Sequence, residues 1–247
     1  MKLITLGTGT CEPSLKRGFP ANFLKIKNKN ILVDCGSGAL RRLIEAGQDY
    51  KEIDFIFLTH FHDDHIAEVN SIIAALSWTP NFNRKKELFL IGPVGLKERC
   101  DNGIFKTETR PDTFKVKVEE IDGKRNFANF EVETMKTVHS LESVAYKFSE
   151  ENKNIVITGD CGYDESLINF ANETDLLLIE CTLPNKIESD RHLSSKQCGE
   201  IAKESKAKKV VLTHLFSSHL PEKVILPEVR EVFPEAILGE DLMIFDI

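Results

Sequence analysis

The chain predicts an α/β fold built from two related β-rich halves that face each other, and three observations carry that prediction. Short apolar runs bounded by Gly, Asn, Asp or Pro alternate with helical patterns along all 247 residues. A weak internal duplication pairs Ile31-Leu-Val-Asp-Cys-Gly36 with Ile157-Thr-Gly-Asp-Cys-Gly162, and Ile53-Asp-Phe-Ile-Phe-Leu-Thr-His60 with Thr174-Asp-Leu-Leu-Leu-Ile-Glu-Cys181, in the same order. No linker or low-complexity run divides the chain, so residues 1–247 read as a single domain. With 41% hydrophobic and 29% charged residues it has ample material for a core.

In the first half, Lys2 to Leu6, Phe23 to Lys27, Ile31 to Asp34, Phe55 to Thr59 and Leu88 to Ile91 read as strands, each an apolar run between turn formers. On the same grounds strands are expected at Val116 to Ile121, Phe130 to Thr134, Ala145 to Phe148, Ile155 to Thr158, Leu176 to Glu180, Val210 to Thr213 and Leu242 to Phe245. Helices are expected at Ala39 to Ala46, with Gly47 as the stop, at Asp64 to Leu76, at Glu165 to Ala171 and at Ser194 to Glu204, where Ser194 can cap the first turn. The segment from Ser77 to Asp112 has weak periodicity and reads as loop-rich, open to a role as a lid or substrate-binding loop.

Composition excludes several classes. No stretch approaches the roughly 18 apolar residues of a membrane span, and the apolar part of Met1 to Gly7 is too short for a signal peptide, so a cytoplasmic protein without membrane association is expected. The six cysteines, at 11, 35, 100, 161, 181 and 198, show no CxxC spacing and read as free buried thiols. A formal net charge of −7 argues against a broad electrostatic hold on nucleic acid. Local basic groups, Arg84 with Lys85 and Lys86, and Lys206 with Lys208 and Lys209, are candidates for contact with a longer RNA, though a charge run is usually a solvated face. A homodimer is left open.

The chemistry concentrates in Leu58-Thr-His-Phe-His-Asp-Asp-His65. It follows an apolar strand, and in an extended segment His60 and His62, two apart, point the same way, so one metal can take both. The apolar spacing of Ile66, Val69, Ile72, Ile73 and Leu76 then marks a helix whose first turn carries Asp64 and His65 on a different vector, suited to a second metal. A helix N-terminus also favours the ionised carboxylate that a ligand must be. Asp63 is expected to cap that helix or face solvent. Imidazole with carboxylate suits zinc, manganese or iron, with zinc the default. The competing reading is a solvated polar turn with a histidine packed on the core. Three His and two Asp within six residues after a buried strand weigh against it.

His60, His62, Asp64 and His65 match the HxHxDH motif of the metallo-β-lactamase superfamily, and the resemblance runs over nearly the whole chain. It implies an αββα four-layer sandwich, two facing mixed sheets with helices outside. It also implies three further ligands: His139 after Met135-Lys-Thr-Val138, Asp160 in Thr158-Gly-Asp-Cys161, and His214 after Val210-Val-Leu-Thr213. By that resemblance His60, His62 and His139 hold one metal, Asp64, His65 and His214 the other, and Asp160 bridges the two. Asp34, ending its strand at Asp-Cys-Gly, is a candidate hydrogen-bond partner for a ligand histidine. Class B β-lactamases usually place a Cys where the bridging Asp would be, and Cys161 is adjacent to that position, but the Gly-Asp pairing aligns on Asp160, which leaves Cys161 as a small buried neighbour. Glyoxalase II carries a helical C-terminal substrate domain, for which the some thirty residues after His214 leave no room.

The opening Leu6-Gly-Thr-Gly-Thr-Cys-Glu-Pro13 with Arg17, and Ile91-Gly-Pro93, are similar to ribonuclease Z and its cyclic-nucleotide phosphodiesterase relatives. A dinucleotide-binding reading of Gly7-Thr-Gly9 fails, because Glu12 stands where the third glycine belongs and Pro13 follows. Ile179-Glu-Cys-Thr182 and Arg191-His-Leu-Ser194 resemble the Glu and His that these phosphodiesterases use as a proton-donating pair. Glu180 and His192 are therefore assigned as catalytic together with Asp64. A capping or surface histidine is the alternative for His192, and a polar strand end for Glu180. The implied mechanism is attack on phosphorus by a hydroxide shared by two metals, with His192 protonating the leaving alkoxide. Ribonuclease Z enzymes of the tRNA type insert a gripping arm between the lone His and the bridging Asp, but here only twenty residues separate His139 from Asp160. Leu215-Phe-Ser-Ser218 also departs from the Phe-Ser-x-Arg-Tyr run usual after the last His. The expected substrate is thus a small phosphodiester, a cyclic nucleotide or short RNA. A tRNA 3′-processing endoribonuclease, a thioester or lactone hydrolase and a non-catalytic metal-binding protein are the alternatives.

Overall fold

The computed structural model describes residues 1–106, 111–127 and 129–247. In chain order its elements are β1 (Lys2–Gly7), β2 (Ala21–Ile26), β3 (Lys29–Cys35), α1 (Ala39–Glu45), β4 (Phe55–Phe57), α2 (Asp63–Ile66), α3 (Val69–Trp78), β5 (Leu88–Gly92), α4 (Leu96–Asn102) and β6 (Val116–Glu120). The second half continues with β7 (Lys124–Phe127), β8 (Phe130–Lys136), β9 (Val144–Glu150), β10 (Lys153–Ile157), α5 (Glu165–Phe170), β11 (Leu176–Glu180), α6 (Ser195–Glu204), β12 (Val210–Thr213), α7 (Ile225–Arg230), β13 (Ile237–Leu238) and β14 (Ile244–Asp246).

Among the described residues the strands form two seven-stranded sheets, ordered β14-β1-β2-β3-β4-β5-β6 and β13-β12-β11-β10-β9-β8-β7. Each mixes antiparallel and parallel pairs. β3, β4, β5 and β6 run parallel in one, and β10, β11, β12 and β13 in the other. Side-chain alternation along a strand explains the four layers. In β3, Ile31 and Val33 point into the cluster between the sheets while Leu32 joins the cluster under α1 and α3; in β11, Leu176 and Leu178 face the inter-sheet core while Leu177 and Ile179 pack under α6. Both sheets are therefore covered on both faces, which is why their inner parallel strands read as unbroken apolar runs, while the edge strand β6 alternates and is only partly buried. Aromatic edges lock the two sheets together: Phe57 meets Tyr146 and Phe148 in T-shaped contacts at 5.4 and 5.2 Å, and the buried Tyr146 hydroxyl donates to the Leu58 carbonyl at 2.8 Å.

The duplication seen in the sequence is a physical one. Asp54 accepts from the Asn30 amide at 3.0 Å and pairs with Lys29 and Lys86; Asp175 accepts from the Asn154 amide at 2.9 Å and pairs with Lys153 and Lys208. Each aspartate thereby fixes the hairpin that precedes β3 or β10. The glycines of the two Asp-Cys-Gly turns are required by close approach: a Cβ at Gly36 would run into the Asp64 carbonyl oxygen, and one at Gly162 into that of Asp190.

The expected helix from Asp64 to Leu76 is two helices. Glu68, at the break, donates its amide to the Cys35 carbonyl at 2.9 Å and turns its carboxylate onto the Gly38 and Leu40 amides, both at 2.7 Å, at the start of α1. A tertiary cap there replaces one intrahelical bond. Ser194 caps α6 in a full capping box with Gln197, as its position suggested. The segment from Ser77 to Asp112 is less irregular than its periodicity implies, since it contains β5 and α4 and the end of α3; residues 107–110 lie outside the described residues. α4 starts where Glu120, from the neighbouring β6, accepts from the Gly95 and Lys97 amides at 3.0 Å. Strands β7 and β13 and helix α7 have no counterpart in the sequence reading. The cysteines are free, five of them buried, but Cys11 is exposed. Among the described residues no helix is long and apolar enough to cross a membrane.

Candidate active site

The site lies where the two sheets present the ends of their parallel strands to each other. From β4 the chain leaves the sheet edge in extended form, and His60 and His62 converge as their spacing requires: His60 Nε2 lies 2.9 Å from His62 Nδ1, and His139 Nε2 lies 3.0 Å from that same atom. α2 carries Asp64 and His65, while Asp63, its first residue, is 96% exposed and faces solvent, with His62 as the N-cap. From the other half, Asp160 follows β10 and His214 follows β12. Asp160 Oδ2 sits 3.8 Å from His60 Nε2 and 3.6 Å from His139 Nε2, and Oδ1 sits 3.3 Å from His65 Nε2 and 3.2 Å from His214 Nε2. The carboxylate thus turns one oxygen toward each of two groups. The ligand atoms of His60, His62, His139 and Asp160 lie within 4.8 Å of one another, and so do those of Asp64, His65 and His214.

These residues fit a metal centre on an observation independent of their identity. Three buried side-chain atoms, His65 Nε2, His214 Nε2 and Asp160 Oδ1, have no hydrogen-bond partner although they face one another. Buried polar atoms are almost always paired, and three lone pairs converging on one point are the exception that a cation resolves. The outer ring nitrogens point the same way. Nδ1 of His65 is 2.8 Å from Asp34 Oδ2, that of His60 is 3.0 Å from Thr59 Oγ1, that of His139 is 3.0 Å from the Arg191 carbonyl, and that of His214 is 2.9 Å from Thr182 Oγ1. Each ring is thereby held with Nε2 inward, the arrangement by which ligand histidines are oriented. Imidazole and carboxylate donors together make this a divalent-metal site.

Burial and crowding make the cluster electrostatically tense. Burial, reinforced by His65, drives the His60 imidazolium far below its ordinary range. Burial works against charging His65 as well, but the carboxylates of Asp160 and Asp34 outweigh it and raise its pKa. Asp160 is the mirror image: burial would raise it, and the facing His214 and His65 hold it well below the carboxylate range. Two residues at this edge, Asp34 (φ 59°) and His214 (φ 54°), occupy the left-handed region that side chains disfavour, a strain kept where it aims functional groups.

Beside the cluster, Glu180 ends β11 with no exposed surface. Its Oε1 accepts from the Cys161 amide at 2.7 Å and lies 3.0 Å from His192 Nδ1, and its Oε2 accepts from the Leu193 amide at 3.2 Å. Burial lowers the His192 pKa, but the Glu180 contact more than offsets it, so the ring keeps its proton to higher pH. The His192 ring stacks on His214 at 5.7 Å, with planes 11° apart, and one of its nitrogens falls within 4.8 Å of ligand atoms of Asp160 and His214. Asp34, the seven ligand candidates, Glu180 and His192 are all brought to this one place. Thr59 and Thr182 were not singled out. The signal was present for Thr182, since two-residue alternation in Glu180-Cys-Thr182 puts it on the same side as Glu180.

One wall is built from the two chain ends. The Leu215 amide donates to the Thr8 carbonyl at 3.0 Å and the Ser218 amide to Glu12 at 3.1 Å, while Asp241 accepts from the Thr8 and Gly18 amides at 2.9 and 2.7 Å. Arg17, 3% exposed, donates to Thr8 Oγ1 and the Gly239 carbonyl, so it holds the loop rather than facing solvent. Of the basic residues noted for RNA contact, Arg84 is buried and donates to the carbonyls of Lys51, Ile53, Lys86 and Glu87; Lys86 and Lys208 pair with Asp54 and Asp175. The work of Arg84 is structural, while the side chains of Lys86 and Lys208 stay exposed beside their aspartates.

A four-layer αββα sandwich with this cluster at the shared edge of its sheets defines a metallo-β-lactamase-fold protein. Residues 1–224 match the model of the family described as Anti-Pycsar protein Apyc1, and the chain belongs to that family. It is also similar to ribonuclease Z of Archaeoglobus fulgidus, 24% identical over an alignment of 303 residues that covers all of this chain and 97% of that protein. Among solved structures it resembles the metallo-β-lactamase-fold protein YhfI from Bacillus subtilis, at a TM-score of 0.84 and 24% identity over 99% of this chain and 98% of the other. The short form of human tRNase Z superimposes with a TM-score of 0.83 at 25% identity, over 100% and 99% of the two chains.

Proposed function

We propose that this chain is a metal-dependent phosphodiesterase that cleaves small phosphodiesters, a cyclic nucleotide or a short RNA, in the cytoplasm. In this reading two divalent ions, zinc by default, would be held by His60, His62 and His139 and by Asp64, His65 and His214, with Asp160 contributing to both groups. The observation that carries the reading is the Glu180–His192 pair beside the ligand cluster, with Nδ1 3.0 Å from the carboxylate. Expelling an alkoxide from phosphorus is slow unless it is protonated, whereas the thiolate of a thioester makes a smaller demand.

Ions bound at such a cluster supply Lewis-acid polarisation of phosphoryl oxygens and acidify water near neutral pH. The chain's own residues do the rest. Glu180, buried and fully engaged by donors, holds the His192 ring by Nδ1 and leaves Nε2 as the proton-donating atom. Asp34, Thr59, Thr182 and the Arg191 carbonyl hold four imidazoles at fixed angles, so little reorganisation is needed as charge develops. Asp64, at 3.7 to 3.8 Å from the His214 and His65 ring nitrogens, adds negative charge where a cation is to be held.

Small substrates are favoured because the interval between His139 and Asp160 is taken up by β9, a two-residue turn and β10, paired from Lys153↔Glu150 to Ile157↔Tyr146. The ribonuclease Z name of the curated relatives favours a second reading, cleavage of the 3′ trailer of a precursor tRNA. A screen of the purified, metal-analysed protein against bis(p-nitrophenyl) phosphate, cyclic nucleotides, a precursor tRNA with a 3′ trailer and a thioester separates them, with His192→Ala as control. Turnover of a cyclic nucleotide or short RNA that falls with His192→Ala is expected. Turnover of the thioester alone would sink the phosphodiesterase reading, and strong preference for precursor tRNA would replace it by the second.

A further inference from the structure

Thr182 is 1% exposed, and its single hydroxyl touches both the ligand cluster and the acid pair. Oγ1 lies 2.6 Å from Glu180 Oε2, 2.9 Å from His214 Nδ1 and 3.1 Å from the His214 carbonyl oxygen. A hydroxyl has one proton to give and lone pairs to accept with. Glu180 accepts from every other neighbour at its carboxylate, and the contact from Thr182 is the shortest of the three, so the proton goes to Oε2 as a charge-assisted bond. The oxygen can then only accept from the ring. His214 must carry its proton on Nδ1, which leaves the lone pair on Nε2, the atom facing Asp64 and Asp160.

We propose that Thr182 is a positioning residue that couples the two parts of the site, setting the tautomer of His214 for metal binding while steadying the carboxylate that aims His192. This rests on the phosphodiesterase reading for its catalytic half. The other half of the fold supplies a comparison that isolates the coupling. Thr59 Oγ1 donates to Asp34 Oδ2 at 2.9 Å and lies 3.0 Å from His60 Nδ1, and that same Asp34 oxygen takes His65. Thr59 therefore joins one cluster histidine to another through Asp34. Thr182 joins a cluster histidine to the proton donor. The two threonines have the same bonding pattern and different connections, so their loss must show differently.

The test compares Thr182→Val, Thr182→Ser and Thr59→Val. Zinc affinity is measured by competition with a chromophoric chelator, and turnover is measured at saturating zinc on a cyclic nucleotide and on bis(p-nitrophenyl) phosphate. Thr182→Val removes the acceptor for His214 Nδ1 and a donor to Glu180, and is expected to lower zinc affinity about 10- to 100-fold, with Thr182→Ser close to wild type. At saturating zinc, Thr182→Val should lower kcat on the cyclic nucleotide more than on the nitrophenyl ester, whose leaving group needs no proton, with KM kept. Thr59→Val should lower both alike. Wild-type affinity and leaving-group ratio in Thr182→Val, or a Ser variant as impaired as the Val variant, overturns the proposal. If Thr182→Val does not fold, ring-nitrogen NMR of the wild-type histidines decides: an Nδ1–H tautomer for His214 supports the coupling and an Nε2–H tautomer overturns it. If no phosphodiester is turned over at all, the phosphodiesterase reading falls, and the affinity and tautomer measurements still judge the metal-facing role of Thr182.

Discussion

Asp34 and His65 meet at 2.8 Å between Oδ2 and Nδ1, tying the end of β3 to the helix turn that carries Asp64 and His65 of the cluster. The same carboxylate accepts from the Thr59 amide at 2.8 Å and the Thr59 hydroxyl at 2.9 Å, so it orders both His65 and the chain leading into His60. An amide in its place can satisfy only part of these donors. Asp34→Asn is expected to lower divalent-metal affinity about 10- to 100-fold, read by chelator competition. An unchanged affinity would show that His65 is oriented by packing alone.

Asp160 turns its two oxygens to different histidines, and that arrangement predicts unequal effects of removing ligands. Asp160→Ala should reduce metal occupancy at both groups, whereas His139→Ala should reduce it at one. Metal content by mass spectrometry after dialysis against dilute zinc distinguishes the two. Equal losses would mean that Asp160 does not bridge.

The Glu180–His192 pair predicts a dependence on leaving group. His192→Ala should lower turnover of an unactivated phosphodiester by about 10²- to 10⁴-fold, the range of general acid catalysis. Bis(p-nitrophenyl) phosphate should lose far less, because nitrophenolate leaves without a proton. Equal losses on the two substrates would point instead to His192 as a metal ligand, a role its place near Asp160 and His214 makes available.

Acid stability should depend in part on Asp175. Burial raises its pKa, but the Asn154 amide and the Lys208 and Lys153 ammonium groups outweigh that and hold it below the ordinary value. A carboxyl lowered in the folded state contributes stability that is complete above its unfolded pKa, near 3.9, and is lost as pH falls through the lower folded value. Asp175→Ala is therefore expected to cost on the order of 1 kcal/mol at neutral pH, with the gap to wild type narrowing below about pH 4. Denaturant midpoints across that range test it, and a gap that widens in acid would refute the assignment.

Much of the architecture was legible because its signals are local. Buried parallel strands are continuous apolar runs, so each expected strand is present in place, with ends shifted by a few residues, and Ser194 announces α6 through a capping box closed within four positions. What was missed depends on partners far along the chain. The single helix expected from Asp64 to Leu76 is broken because Glu68 turns to cap α1, and α4 went unseen because Glu120 on another strand completes its first turn. Neither carboxylate advertises that use in its own neighbourhood.

The sequence by itself determined the residue types at 60, 62, 64, 65, 139, 160 and 214 and the strands that end beside them, and its resemblance to ribonuclease Z and its relatives pointed to Glu180 and His192 as a pair. Only the tertiary structure decided how those donors point. A ring nitrogen's tautomer, the split of Asp160 between two groups and the shared hydroxyl of Thr182 are set by directional bonds between residues as far apart in the chain as Asp34 and His65, or Thr182 and His214. Hydrogen bonds discriminate by a few tenths of an ångström and by angle, and linear spacing carries no such information once the chain has crossed from one half of the fold to the other.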